Sequence, residues 1–264
     1  MDHHAVRTLF DQQMRRDTPP DGPGVRVERT GGVVRQVGAA NDWNAVVWSG
    51  LDQTTADTAI AEQVGYFASL GREFEWKLYD HDHPADLGAR LEAAGFTPEP
   101  AETLMIAEVG GLPTGTALPE GVRLEPVTDP AGVDLVMDVH DEAFGTSSSR
   151  LRQQVLGQLT KSPDTVSVVL AMAGDVPVCA ARMELHPGTD FASLWGGGTV
   201  PAWRGRGIYR ALVSHRAGIA AELGYRFLQV DASSQSRPIL ERLGFTALST
   251  TTPYVFQPDR SPAP

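Results

Sequence analysis

Residues 204–207 read Arg-Gly-Arg-Gly, two fixed positive charges alternating with two residues whose backbone turns freely. They fall where a strand pattern gives way to a helical one, in the stretch 196–212, GGGTVPAWRGRGIYRAL. A helix N-terminus presents unpaired N–H groups and a partial positive charge, which makes it a seat for phosphate. Glycines there let the backbone approach an anion with no Cβ in the way. From residue 191 to residue 221 there is no Asp or Glu, although the chain carries a formal charge of −11. That local reversal of charge predicts a pyrophosphate site.

Other residues offer chemistry of their own. Gly196, Gly197 and Gly198 stand inside a strand, which glycine weakens, so the run points to a bulge or to close approach by a ligand. Glu184, on the neighbouring strand, is either a candidate base or a plain solvent-facing residue. His186 follows in a turn and reads as incidental. His140 shares a helical stripe with Val136 and Phe144 and reads as a core or rim residue. The single cysteine, Cys179, lies among apolar strand residues and reads as a small buried side chain. One cysteine allows no internal disulfide and no cysteine-based metal cluster. The run Asp80-His81-Asp82-His83 tempts a metal reading. Adjacent side chains at a strand end diverge, however, and His83-Pro84 looks like a helix start, so loop and cap chemistry is expected, with no metal.

The elements that must position these groups follow from periodicity and punctuation. In the first half, helices are expected over 4–16, 56–70 and from Pro84 to Gly95, with strands at 33–37, 45–48, 74–79 and 103–109. The segment GGLPTGTALPEG, with four Gly and two Pro, reads as a linker. After it come a strand at 122–127, helices at 130–144 and 151–160, and a meander of strands at 166–172, 177–185 and 191–199. The glycine-rich loop and its helix follow, then a strand at 227–231, a short helix closing at Gly244-Phe245, and a last strand at 254–256. The halves resemble each other: ASLGREFEWKLYD at 68–80 lines up with AELGYRFLQVDA at 221–232, and each half closes a helix in Gly-Phe. In the first copy the loop's place is taken by SGLDQTTADTAI, with one Gly and no Arg. The divisions expected are a degenerate domain at 1–110, a linker at 111–121, a ligand-binding domain at 122–257 and a flexible tail at 258–264.

At 264 residues there is room for two modest domains, and the apolar and charged fractions are those of an ordinary globular protein. The longest apolar run, 166–173, is strand length, so no membrane span is expected. The N-terminal segment has no apolar core and no cleavage site, so no secretion signal is expected and the predicted location is the cytoplasm. The net negative charge argues against nucleic-acid binding.

With those residues in place, the second half resembles the GNAT superfamily of N-acetyltransferases. Arg204, Gly207 and Tyr209 fall on the family's loop pattern of Arg or Gln, two residues, Gly, one residue, then Gly or Ala. Tyr209 departs from it and should narrow the space beside the pyrophosphate. The resemblance implies an α/β fold of the α+β, GNAT-like kind: a mixed, mostly antiparallel sheet flanked by helices, in two similar domains. It implies acetyl-CoA as co-substrate, held by Gly198, Thr199, Val200, Arg204, Gly205, Arg206, Gly207, Ile208, Tyr209, Arg210 and Ser233. The strand position where family members often carry a carboxylate falls on Ser193, which leaves Ser193 and Glu184 as candidates for proton handling. The family's usual Tyr before its Gly-Phe is Leu240 here, and its common Asn is Ser233, with Ser236 a further candidate for a relay. The tandem arrangement resembles that of mycothiol synthase. The expected reaction is acetyl transfer to a primary amine of a small molecule, by a monomer or homodimer. A non-catalytic acyl-CoA-binding regulatory module and an enzyme acting on a protein or peptide amine are the alternatives.

Overall fold

The computed structural model describes residues 1–22, 24–115, 117–145 and 148–258. In chain order the elements are α1 (His3–Phe10), β1 (Arg26–Thr30), β2 (Val33–Val37), β3 (Ala45–Ser49), α2 (Ala56–Ser69), β4 (Phe74–Tyr79), α3 (Leu87–Ala93), β5 (Thr97–Pro98) and β6 (Glu102–Glu108). They continue with β7 (Val122–Pro126), α4 (Pro130–Phe144), α5 (Ser149–Lys161), β8 (Val166–Ala173), β9 (Val176–Leu185), β10 (Phe191–Thr199), α6 (Ile208–Glu222), β11 (Phe227–Ala232), α7 (Arg237–Leu243) and β12 (Thr246–Phe256). This is the mixed, mostly antiparallel GNAT-like architecture expected. Among the described pairings, only β3–β4 and β10–β11 run parallel.

The chain divides into two units. The first comprises Met1–Leu104, Asp231–Ser234 and the chain from Leu248 on; the second comprises Met105–Val230 and Gln235–Ala247. The units are therefore not consecutive stretches, as divisions at 110 and 122 assume. The reason is strand pairing. β12 begins at Thr246, not 254, and pairs with β4 from Thr251↔Tyr79 to Phe256↔Phe74. Asp231 joins the same unit through an ion pair, its Oδ2 2.9 Å from Lys77 Nζ. Apart from Pro258, the expected tail lies outside the described residues.

In the first unit the strands run β1-β2-β3-β4-β12. Alternation on β4 works as the sequence suggests: Phe74 and Trp76 enter a core with Phe67, Leu87, Leu91 and Phe96. Phe67 and Phe74 stack at 4.2 Å between ring centroids. The N-terminal helical stretch has the expected extent, its α-helical part ending at Phe10 and a π-helical turn continuing over Asp11–Arg16. Within that turn Arg15 is buried, donating to Val47 O at 3.1 Å and to both oxygens of Asp82 at 2.9 and 2.7 Å. His81 bridges Asp11 Oδ2 at 2.9 Å and Ser249 Oγ at 2.8 Å. The Asp-His run thus serves as loop chemistry. Pro84 does not open a helix; α3 begins at Leu87.

In the second unit β11-β10-β9-β8-β7 form the corresponding order. α4 starts where Asp129 accepts from Gly132 N at 2.8 Å, with Pro130 in its first turn, and it stops at Gly145, whose φ of 72° is a left-handed cap. Its buried face, Val133, Val136 and Met137, joins Val168, Leu170, Val178 and Ala180 from the sheet. The duplication visible in the sequence has a geometric counterpart. α3 and α7 are each followed by a left-handed glycine, Gly95 (φ 94°) and Gly244 (φ 104°), and by a buried phenylalanine, Phe96 and Phe245.

Candidate functional site

The site is built around β10. It pairs antiparallel with β9 from Ala192↔Leu185 to Trp195↔Arg182, then resumes at Gly198↔Ala180 and Thr199↔Cys179. The register shift between Trp195 and Gly198 is the bulge that the glycine run predicts. Gly196 adopts φ 57°, a conformation L side chains disfavour. On the opposite edge, β10 pairs with β11 over only three positions, Phe191↔Phe227, Ala192↔Leu228 and Ser193↔Gln229. Past Ser193 the two parallel strands have no further register.

The bulge divides the neighbouring side chains between two faces. On one, Gly197 and Thr199 look toward α6. A Cβ on Gly197 would lie 2.7 Å from Tyr209 Cε2 and 3.7 Å from Arg216 Nη2. Thr199 Oγ1 is 3.1 Å from Cys179 Sγ, and burial pushes that thiol up to about 11, so Cys179 is the inert buried residue expected. Arg216 is buried and donates to Leu212 O at 3.0 Å and to Arg182 O at 2.9 Å. Arg182 lies opposite the bulge, where the ladder is interrupted, so the guanidinium satisfies a carbonyl beside the irregularity. On the other face Gly198 is closed in by α4, a Cβ there falling 2.7 Å from Phe144 Cε2 and 3.0 Å from Ala143 Cβ.

After β10, Val200 N donates to Val178 O at 3.0 Å, and a 3-10 turn at Pro201–Trp203 leads into the loop. Gly205 and Gly207 hold φ of 77° and 85°, so both need glycine. α6 starts with no side-chain cap and no acidic residue in its first turn, which leaves the first-turn N–H groups without an acidic partner of their own. The arginines divide their work. Arg204 donates from Nε to Thr199 O at 3.1 Å and from Nη2 to Ala143 O at 2.9 Å, tying the end of β10 to the end of α4. Arg206 lies over the Trp203 ring at 4.4 Å, and Arg210 Nη2 comes within 3.2 Å of a Cβ position on Gly207. The first unit does the opposite. Before α2, Asp52 Oδ1 accepts from Thr54 Oγ1 and N at 2.7 and 2.8 Å and from Thr55 Oγ1 and N, both at 2.9 Å, and these bonds hold its carboxyl down to about 2. The turn before α2 is thus occupied by a carboxylate of the chain, whereas α6 has no acidic residue in its first turn.

The proton-handling candidates also fall on the α4 and α5 side of the sheet. Glu184 is buried instead of facing solvent; its Oε1 accepts from Gln158 Nε2 at 3.1 Å and lies 3.2 Å from Arg182 Nη1. Ser193, directly across the ladder from Glu184, is buried too, and its Oγ is 2.8 Å from His186 Nε2. His186 is the residue that sequence reasoning passed over: nothing in its turn position shows that the chain folds it back onto β10. Burial lowers its basicity, and the charge of Glu184 raises it in part. Ser233 belongs to the segment that groups with the first unit. Ser236 precedes α7, its carbonyl accepting from Ile239 and Leu240 N at 3.0 and 3.1 Å, which gives it a helix-starting place. Leu240 is fully buried in packing. His140 lies against Phe144, ring centroids 4.7 Å apart, with a buried Nδ1 that makes no hydrogen bond.

Residues 133–245 match the model of the Acetyltransferase (GNAT) family. The second half of the chain is a GNAT acetyltransferase domain. No curated protein matches the chain. Among solved structures, a GCN5-related N-acetyltransferase from Kribbella flavida superposes with a TM-score of 0.70 at 18% identity, over 100% of this chain and 96% of that one. A tandem GNAT protein from the clavulanic acid biosynthesis pathway gives 0.64 at 14% identity, over 98% and 97%. A GCN5-related N-acetyltransferase from Sphaerobacter thermophilus gives 0.60 at 17%, over 87% and 82%. At these identities the likeness is one of fold, and it is consistent with a tandem arrangement. Family membership of the domain indicates an acyltransferase. Among the described residues no group of three metal-ligating side chains forms, and no helix is long and apolar enough to cross a membrane.

Proposed function

We propose that the chain transfers an acetyl group from acetyl-CoA to the primary amine of a small molecule, by direct attack of the amine on the thioester. The observation that carries this reading is the uncapped start of α6 behind Gly205 and Gly207, placed directly after a strand whose partner has separated from it. The first-turn N–H groups of Ile208, Tyr209 and Arg210 are suited to a pyrophosphate, and Arg206 and Arg210 add positive charge. Gly198, Thr199 and Val200 form the strand end along which the pantetheine arm is held. Arg204 supports this seat by donating to the carbonyls of Thr199 and Ala143.

Transfer of this kind needs little covalent help. The protein must hold thioester and amine together, meet the developing oxyanion with N–H groups and take up a proton. The bulged strand supplies N–H groups near the separating edge, and the α4 and α5 face supplies buried polar groups next to it.

Calorimetric titration with acetyl-CoA, followed by release of free thiol in the presence of tryptamine, glucosamine, spermidine and lysine, tests the reading. Binding with turnover on at least one amine supports it. Binding with no turnover on any of them favours a regulatory acyl-CoA-binding module, for which the burial of Leu240 at the family's usual Tyr position already speaks. Absence of binding overturns the assignment.

A further inference from the structure

Ser193 is the last residue at which β10 and β11 pair, so its side chain stands at the point where the two strands part. Its hydroxyl is 2.8 Å from His186 Nε2. The turn that returns His186 to this position is fixed by Thr189, whose N and Oγ1 donate to His186 O at 3.1 and 2.8 Å. Directly across the β9–β10 ladder from Ser193 is Glu184. Glu184 is the charged side chain acting on the imidazole, and it is itself held by Gln158 and Arg182. Three elements therefore converge a serine, a histidine and a carboxylate at one end of the strand gap, and the fold alone does not require any of the three to be polar.

We propose that His186 takes up the proton released in the transfer, through the hydroxyl of Ser193. The inference rests on the function proposed above. As the amine nitrogen attacks, the C–N bond forms and the C–S bond breaks, the electron pair leaving with sulfur. One N–H proton of the amine passes to Ser193 Oγ while the proton already on Oγ passes to His186 Nε2. The serine is unchanged, and the imidazolium that results faces the Glu184 carboxylate. Burial keeps the free imidazole neutral at neutral pH, the state in which Nε2 accepts. Glu184 is then a positioning residue, acting on the imidazole and not on the substrate.

The test uses the full chain and the best amine of the panel above. His186→Ala should lower kcat by about 10²-fold, leave the calorimetric affinity for acetyl-CoA unchanged, and abolish the acidic limb of the kcat–pH profile. Added imidazole should restore part of the rate, with a limb at imidazole's own pKa. Ser193→Ala should act in the same direction and should not respond to imidazole. A folded His186→Ala protein that keeps the parent kcat and acidic limb overturns the proposal while leaving the proposed function intact. A parent protein that does not bind acetyl-CoA overturns both.

Discussion

Tyr209 occupies the space that a side chain on Gly197 would need: Tyr209 Cε2 is 2.7 Å from the position of a Cβ on that glycine. The large residue on α6 and the missing one on β10 are a matched pair. Tyr209 departs from the small residue of the family's loop pattern, and the departure is absorbed inside the fold, against the bulge. Burial accordingly raises the phenol's pKa.

This pairing predicts coupling. Gly197→Ala forces Tyr209 to move and should destabilise by about 1–3 kcal/mol. In a Tyr209→Ala background the same substitution should cost at least about 1 kcal/mol less, as read by a double-mutant cycle in urea. Additive costs would contradict the contact.

The loop glycines differ in what they forbid. Gly207→Ala places a Cβ at φ 85° and should cost stability of about 1–2 kcal/mol with a modest loss of acetyl-CoA affinity. Gly207→Asp adds a negative charge at the helix start and should weaken acetyl-CoA binding more than about tenfold beyond that. Calorimetry on both variants, with a thermal melt as control, separates strain from charge.

Arg204 should behave as a brace. Its two donors meet Thr199 O and Ala143 O, so Arg204→Ala should lower stability by about 1 kcal/mol and weaken acetyl-CoA binding less than Gly207→Asp does. Arg204→Lys should not restore the loss, because one ammonium does not reproduce the planar fork. A loss of affinity as large as that of Gly207→Asp would instead place the guanidinium on the anion.

The first unit carries a separate pH signature. Burial, with Asp231, Glu75 and Glu99 adding to it against the pull of Lys77, raises Glu102 from 4.5 to about 7. Between those values the folded chain binds a proton that the unfolded chain has lost, so stability falls as pH rises through that window and is level above it. Partial solvent exposure screens the effect to on the order of 1–2 kcal/mol. Glu102→Gln should raise the thermal midpoint at pH 8 and flatten its dependence between pH 5 and 7. An unchanged slope would assign that dependence to other groups.

Much of the loop's local geometry was legible in the chain. The acid-free stretch around Arg204–Gly207 needs no tertiary partner to be recognised, because helix-start chemistry and glycine torsions are local. The bulge at Gly196–Gly197 was legible for the same reason, as were the capped ends of α4. Three features were not. Arg204 gains a partner in the carbonyl of Ala143 because the end of α4 is brought beside it. Glu184 proved buried because Gln158 of α5 covers it. His186 gained a partner because its turn folds back to Ser193.

What the sequence by itself determined is the local part: an acid-free Gly-Arg loop at a helix start in one half, a segment without Arg in its place in the other, and the alternation that makes β4 and α4 pack. What only the tertiary structure decided is pairing across distance. It joins β12 to β4, sets Glu184 opposite Ser193 and lets Gly197 make room for Tyr209. Torsional preference and periodicity act within a few residues and can be read along a chain, whereas register and close packing depend on which segments meet, and the chain's order does not contain that.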